Sequence, residues 1–198
     1  MKIIMLDPGH GGTDPGCIND DNIGNELMSF EKDIALDIAL YAAQLLNEPS
    51  LFPSSPEPIT AVLTRSADVT LGLKARSDMT KTQHIDLFVS IHHNARVPEQ
   101  PGLEIETYYM AGLPDTSRSA KAANAIHAVL IEGLSAVNRG VKTANFHVLR
   151  ETACPAILIE AGFLTDQQEA MWLNDVRNRQ LVAELIVSGV VKYFEQWG

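Results

Sequence analysis

Short β-branched or apolar runs that alternate with longer amphipathic ones predict an α/β layer fold, and the polar clusters that close several short runs predict where a site lies. Strands are expected at residues 2–6, 61–64, 87–91, 103–109 and 156–160. Residues 30–47 place Ile34, Ile38, Tyr41 and Leu45 on one stripe, so a helix is expected there with Ser29 as its N-cap. Residues 117–137 repeat Ala and Leu at helical spacing, and residues 176–197 do the same with Leu181, Leu185 and Val190. Weaker helical patterns occupy 73–82 and 166–173. Residues 48–58, between the first helix and the second strand, hold four prolines and three serines, the composition of a loop.

A length of 198 residues, 45% hydrophobic and 20% charged, fits one domain spanning 1–198. Asp and Glu total 25 against 15 Lys and Arg, a net charge of -10 that repels phosphate backbones and demotes nucleic-acid binding. No apolar run nears the ~20 residues of a membrane span, and residues 2–6 are too short for a signal peptide. With no export address in the sequence, a cytosolic protein, a mature fragment and a protein released by another route all stay open. Cys17 and Cys154 make one disulfide or none.

Chemistry concentrates at three strand ends. The first runs into Asp7-Pro8-Gly9-His10-Gly11-Gly12-Thr13-Asp14-Pro15-Gly16. This loop has neither the Lys-Ser/Thr of a phosphate loop nor the Gly-x-Gly-x-x-Gly order, so His10 reads as a ligand or base as readily as a self-satisfied turn histidine. The strand over 87–91 runs into His92-His93-Asn94. Ligands collect at the carboxyl ends of strands and side chains alternate, so one histidine joins the site. His93 is then expected at the surface or behind the site, with Asn94 as a substrate contact. The third strand ends on Glu160. A carboxylate beside so apolar a strand needs a charge partner, a metal or a raised pKa, the plain alternative being an ion pair with Arg65 or Arg150. Glu31, in the first turn of the first helix, is either a dipole-favoured cap or a fourth site residue, and Glu26 competes for the same role. Two histidines and two carboxylates supply the three N/O ligands and the base of a catalytic zinc site. Spacing does not say which glutamate is ligand and which is base.

Together these segments resemble the amidase-3 family, the zinc-dependent N-acetylmuramoyl-L-alanine amidases that hydrolyse peptidoglycan. The resemblance is carried by LDPGHGGTDPG around His10, FEKDIALDIA from Phe30, LTRSADVTLGLKARSD from Leu63, DLFVSIHHNA around His92 and RGVKTANFHVLRETACPAILIEAGFLTD from Arg139. They stand in the family's order and cover nearly the whole chain. The resemblance implies a three-layer fold, a twisted, mostly parallel six-stranded sheet flanked by helices. It implies His10, Glu31 and His92 as ligands of one Zn2+ per chain and Glu160 as the catalytic carboxylate. The implied reaction is metal-assisted hydrolysis of the amide between N-acetylmuramic acid and L-alanine, with Glu160 taking up a proton and passing it to the leaving amine. Asp7, Ser90 or a backbone carbonyl is expected to fix the second nitrogen of a ligand histidine. His147 stands where the family more often has an aromatic residue such as tyrosine, so the groove wall is expected to differ there.

Asn94, Arg65 and His147 are the expected substrate contacts, although Arg65 and Arg76 suit internal ion pairs with Asp68 or Asp86 equally well. His84 and His127, both on segments read as helical, are expected to be solvated or packed, and Cys17 to be a packed thiol. The alternative function is a zinc metallopeptidase acting on free peptides or recovered muropeptides. An inactive wall-binding module is disfavoured, because a binder needs no catalytic base. The expected partner is peptidoglycan or muropeptide, and the chain is expected to be a monomer with no membrane span. It is expected to act on the cell wall, as a phage lysin or a trimmed domain of an exported autolysin, with cytosolic processing of wall fragments as the alternative. Some exported relatives carry an inhibitory helix between the second zinc histidine and the catalytic glutamate. The interval from His92 to Glu160 leaves little room for one, so an open site is expected.

Overall fold

The computed structural model describes residues 1–19, 28–48, 58–95 and 102–198, so Glu26 and most of the proline-rich 48–58 segment lie outside the described residues. The elements follow as β1 (Lys2–Pro8), β2 (Ile18–Asn19), β3 (Ser29–Phe30), α1 (Glu31–Asn47), β4 (Ile59–Leu63), α2 (Leu73–Thr82) and β5 (Leu87–Asn94). Then come β6 (Glu104–Met110), α3 (Arg118–Leu134), β7 (Val137–Ala144), α4 (His147–Arg150), β8 (Ala156–Phe163), α5 (Gln167–Asn174) and α6 (Val176–Trp197). Six strands form one sheet in the order β4-β1-β5-β8-β6-β7. β4, β1, β5 and β8 are mutually parallel, β6 runs antiparallel to β8, and β7 is parallel to β6. The expected α/β fold, with a mostly parallel six-stranded sheet between helices, is the one observed.

Side-chain alternation along the strands divides the two faces. Ile4, Leu6, Val89, Ile91, Ile157 and Ile159 pack with α1, α3 and α6 in the larger core. Met5, Phe88 and Leu158 point the other way, into a smaller core with Val148 and Leu149 of α4. α2 packs against α4 on that side. The same period-two register carries Asp7, His92 and Glu160 onto this second face, at the carboxyl ends of three adjacent parallel strands.

Several local expectations are corrected. Phe30, not Ser29, is the N-cap of α1, and it makes no side-chain cap bond. Ser29 instead pairs with Asn174. α3 stops at Leu134, where Ser135 turns left-handed, and Val137 opens a strand rather than closing the helix. Its strand, β7, lies at the sheet edge and is interrupted by Gly140 at φ 88°, so it lacks the apolar alternation that reveals a strand. On α6 the buried stripe runs through Val182, Ile186 and Val190, and Leu181 is exposed. Among the described residues no helix is long and apolar enough to cross a membrane.

Candidate active site

Past the end of β1 the chain turns through Gly9 into His10, which takes a left-handed φ of 58°. That conformation costs a side-chain-bearing residue about 1–2 kcal/mol. It is held by reciprocal backbone bonds between Gly11 and Asp14 (2.8 and 3.1 Å) and by Arg76, which donates to the His10 carbonyl. Gly9 is required by proximity, since a Cβ there would lie 2.3 Å from the His92 ring. The rings of His10 and His92 meet edge to face, with centroids 4.9 Å apart.

Glu31 starts α1, where the helix N-terminus favours an acid. Its Oε2 accepts from the Cys17 amide (2.9 Å) and its Oε1 from the His93 amide (3.0 Å). Oε1 also lies 3.1 Å from His10 Nε2 and 2.9 Å from His92 Nδ1. One ligand atom from each of the three residues falls within 4.8 Å of the others. Burial works against ionisation of Glu31, but hydrogen bonds and attraction from His10 and His92 outweigh it and hold the carboxyl far below the usual range. Desolvation of His10 is likewise outweighed, by its contacts with Glu31 and Asp14, and its pKa is raised. Asp14 Oδ2 sits 3.0 Å from His10 Nδ1 and so fixes the second nitrogen of that ring. Asp7 and Ser90, expected in that role, are register partners on adjacent strands and bond each other (2.7 Å). Asp7 also pairs with Arg76 at 2.7 Å.

Glu160 lies in register between His92 of β5 and Glu106 of β6. Its Oε2 is buried without a hydrogen-bond partner. Arg150 is engaged with Glu151 and Asn145, and Arg65 with backbone, so neither supplies the ion pair weighed as the alternative. Burial, and then the charges of Glu31 and Glu106, raise its pKa well above the ordinary carboxyl value. Glu160 lines a cavity of about 410 Å³ with His10, His92, Phe146, His147 and Leu158. The donor set fits zinc: two imidazole nitrogens and a carboxylate oxygen converge, as in sites with three protein ligands, and an orphaned buried carboxylate stands beside them.

The expected substrate contacts divide. His147 lines the cavity, with Nε2 3.4 Å from Ser77 Oγ. Asn94 spends its amide on Glu106 Oε1 (2.6 Å) and its Oδ1 on the Ala95 amide, and it is not among the cavity-lining residues. Arg65 is only 3% exposed and donates to the carbonyls of Pro8, Gly9, Lys32 and Ala67, so its donors serve the chain and not a ligand. Arg76 pairs with Asp7, and Asp68 with Lys32. His93 points into the larger core and is buried, not at the surface, and desolvation lowers its pKa to about 4. His127 is packed between Thr107 and Asn138, whereas His84 is exposed and lies outside any helix. The Cys17 thiol donates to the His93 carbonyl (3.3 Å), and both cysteines are free. Between His92 and Glu160, α3 packs on the other face of the sheet and α4 forms one cavity wall, while residues 96–101 lie outside the described set. Sequence reasoning missed Asp14 and Glu106. The signal for Asp14 was its i+4 spacing from His10; for Glu106 it was a second acid two residues after Glu104 on one strand face.

The family model described as N-acetylmuramoyl-L-alanine amidase, Amidase_3, matches residues 4–192. The chain belongs to this family. An N-acetylmuramoyl-L-alanine amidase from Clostridium difficile 630 superposes on this amidase fold with a TM-score of 0.86 at 32% identity, over 100% of this chain and 98% of that one. The catalytic domain of the amidase CwlV from Bacillus (Paenibacillus) polymyxa var. colistinus gives 0.81 at 32% identity, over 98% and 99%. The sporulation-specific N-acetylmuramoyl-L-alanine amidase of Bacillus subtilis is 35% identical over 98% of this chain and 69% of its own length. The amidase LytC of the same organism is also 35% identical over 98% of this chain, which spans only 36% of LytC.

Proposed function

We propose that this amidase hydrolyses the amide between the lactyl group of N-acetylmuramic acid and the L-alanine of the stem peptide in peptidoglycan, with a zinc ion held by His10, Glu31 and His92. When bound, the ion supplies Lewis acidity toward the scissile carbonyl and lowers the pKa of water. The observation that carries the reading is the partnerless, buried carboxylate of Glu160 in the same cavity as the three-residue cluster. Its high proton affinity suits Glu160 to accept the proton of the attacking water and return it to the leaving amine. Glu31, held ionised, and His10, oriented by Asp14, keep their donor atoms turned toward one another. His147 and Phe146 form the wall against which substrate lies. The net charge of -10 gives no general attraction to anionic wall polymers, so capture depends on this groove or on a partner.

The test is release of stem peptides from purified cell wall, with metal content measured on the same samples. Release should stop on chelation, return with zinc and fail in Glu160→Gln. Equal turnover of simple peptides lacking the muramyl group would replace the amidase reading with the metallopeptidase one.

A further inference from the structure

We infer that Arg65 is a positioning residue that sets the spacing between the His10 loop and the Glu31 helix, and thereby the affinity of the three-residue cluster for its metal. The inference rests on the metal reading above and concerns a residue whose sequence-based expectation was substrate contact. One nitrogen, Nη2, donates both to the carbonyl of Gly9 (2.7 Å) and to that of Lys32 (2.8 Å). The first carbonyl belongs to the peptide bond that leads into His10, and the second lies one residue past Glu31. Nε donates to Pro8 O (3.0 Å) and Nη1 to Ala67 O (3.1 Å), which anchors the guanidinium to β1 and to its own loop. A single planar group thus joins the backbones on either side of the cluster.

The Arg65 guanidinium is held by backbone and not by an ion pair. Its bonds all go to backbone carbonyls, with no carboxylate among them, so a buried cation carries its desolvation cost without a direct ion pair. Arg76 next to it differs, having Asp7 as a buried counter-charge. Arg76 also holds only the His10 side, through Pro8 O and His10 O. Of the two, only Arg65 reaches across to α1. The rigid five-donor fork of arginine can satisfy carbonyls from four residues at once, whereas the single ammonium of lysine cannot span the same points.

The test uses Arg65→Lys and Arg65→Gln in the full chain, with zinc affinity measured by chelator competition and the visible spectrum of the cobalt-substituted protein recorded beside it. Thermal melts of the metal-free proteins report the fold. Asn47→Ala is the structural control, because it removes two bonds to Ala61 at the far end of α1 and touches nothing in the cluster. The expected result is a loss of about 10–100-fold in zinc affinity, the usual size of an outer-sphere effect, with altered cobalt bands in both Arg65 variants. Asn47→Ala should melt earlier and bind zinc as the wild type does. The inference is overturned if both Arg65 variants keep zinc affinity within twofold. It is overturned equally if neither variant folds, since Arg65 would then be a folding determinant only. A wild type that binds no zinc overturns the metal reading and this inference with it, a result distinct from either.

Discussion

Glu160 of β8 and Glu106 of β6 are direct register partners on adjacent strands, yet their surroundings are opposite. Glu106 accepts from Asn94 Nδ2 (2.6 Å), Tyr108 Oη (2.7 Å), Arg139 Nε (3.0 Å) and Lys142 Nζ. Glu160 has a buried oxygen with no donor at all. A saturated buried carboxylate is a structural tie, and removing it strands its cations. A carboxylate left without donors is a proton carrier held at a cost to stability, and such local inconsistency is expected at functional positions. The difference follows from what each strand borders. β6 adjoins β7, which contributes Arg139 and Lys142, while β8 adjoins β5, which contributes His92.

The sharpest way to break the comparison is Glu160→Gln. It should lower peptide release by roughly 10²–10⁴-fold, the contribution of a general acid–base, without loss of fold. In the metal-free protein its stability relative to wild type should change with pH in a set direction. The folded pKa of Glu160 is raised, so its contribution is full below the unfolded carboxyl range and is lost as pH rises through the folded value. Glu160→Gln should therefore gain on the wild type as pH rises, and a gap that narrows instead would show that the carboxylate is paired in solution. Glu106→Gln should cost about 3 kcal/mol in chemical denaturation, because Lys142 and Arg139 lose a buried counter-charge.

Glu169 lies between these extremes and sharpens the scale. Its Oε2 accepts from the amides of Phe163 (2.9 Å) and Glu104 (3.2 Å), its Oε1 has no partner, and burial pushes its pKa to about 7. Its contribution should be complete below the unfolded carboxyl value and fade as pH rises through about 7. Glu169→Gln should abolish a loss on the order of 1–3 kcal/mol across that window in melts of the metal-free protein. The smallest effect is expected at Phe146, which lines the cavity and packs edge-on against Tyr108 (centroids 5.3 Å), itself bonded to Glu106. Phe146→Ala should raise KM about threefold with kcat little changed, the result of removing one half-exposed apolar contact.

The fold class and the three strand ends were legible because parallel strands that are buried on both faces announce themselves as apolar runs, and a polar residue at their carboxyl ends stands out. Alternation also placed His92 and His93 on opposite sides, as the structure does. It did not place His93 in the core, because a buried imidazole whose ring nitrogens have no hydrogen-bond partner is not something composition predicts. β7 was hidden by its edge position and Gly140, so its first residue, Val137, read as the tail of α3 and the rest gave no strand signal. Arg65 and Asn94 misled for a shared reason. Polar residues beside a site look the same in sequence whether they bond a ligand or the backbone that shapes it, and only the partners at 2.6–3.1 Å separate the two. Glu31 could be told from Glu160 only by resemblance, since helix capping explained it equally well.

The two unpaired thiols complete the picture from another side. The thiolate is the form that is alkylated, oxidised or exchanged. Burial lifts Cys154 to about 12, and burial together with the neighbouring Glu31 lifts Cys17 higher still. Both therefore stay protonated at neutral pH, and the Cys17 hydrogen is directed at a carbonyl. A thiol-directed oxidant or alkylating agent therefore meets no ready thiolate at either cysteine, and the exposed thioether of Met171 is the softer target.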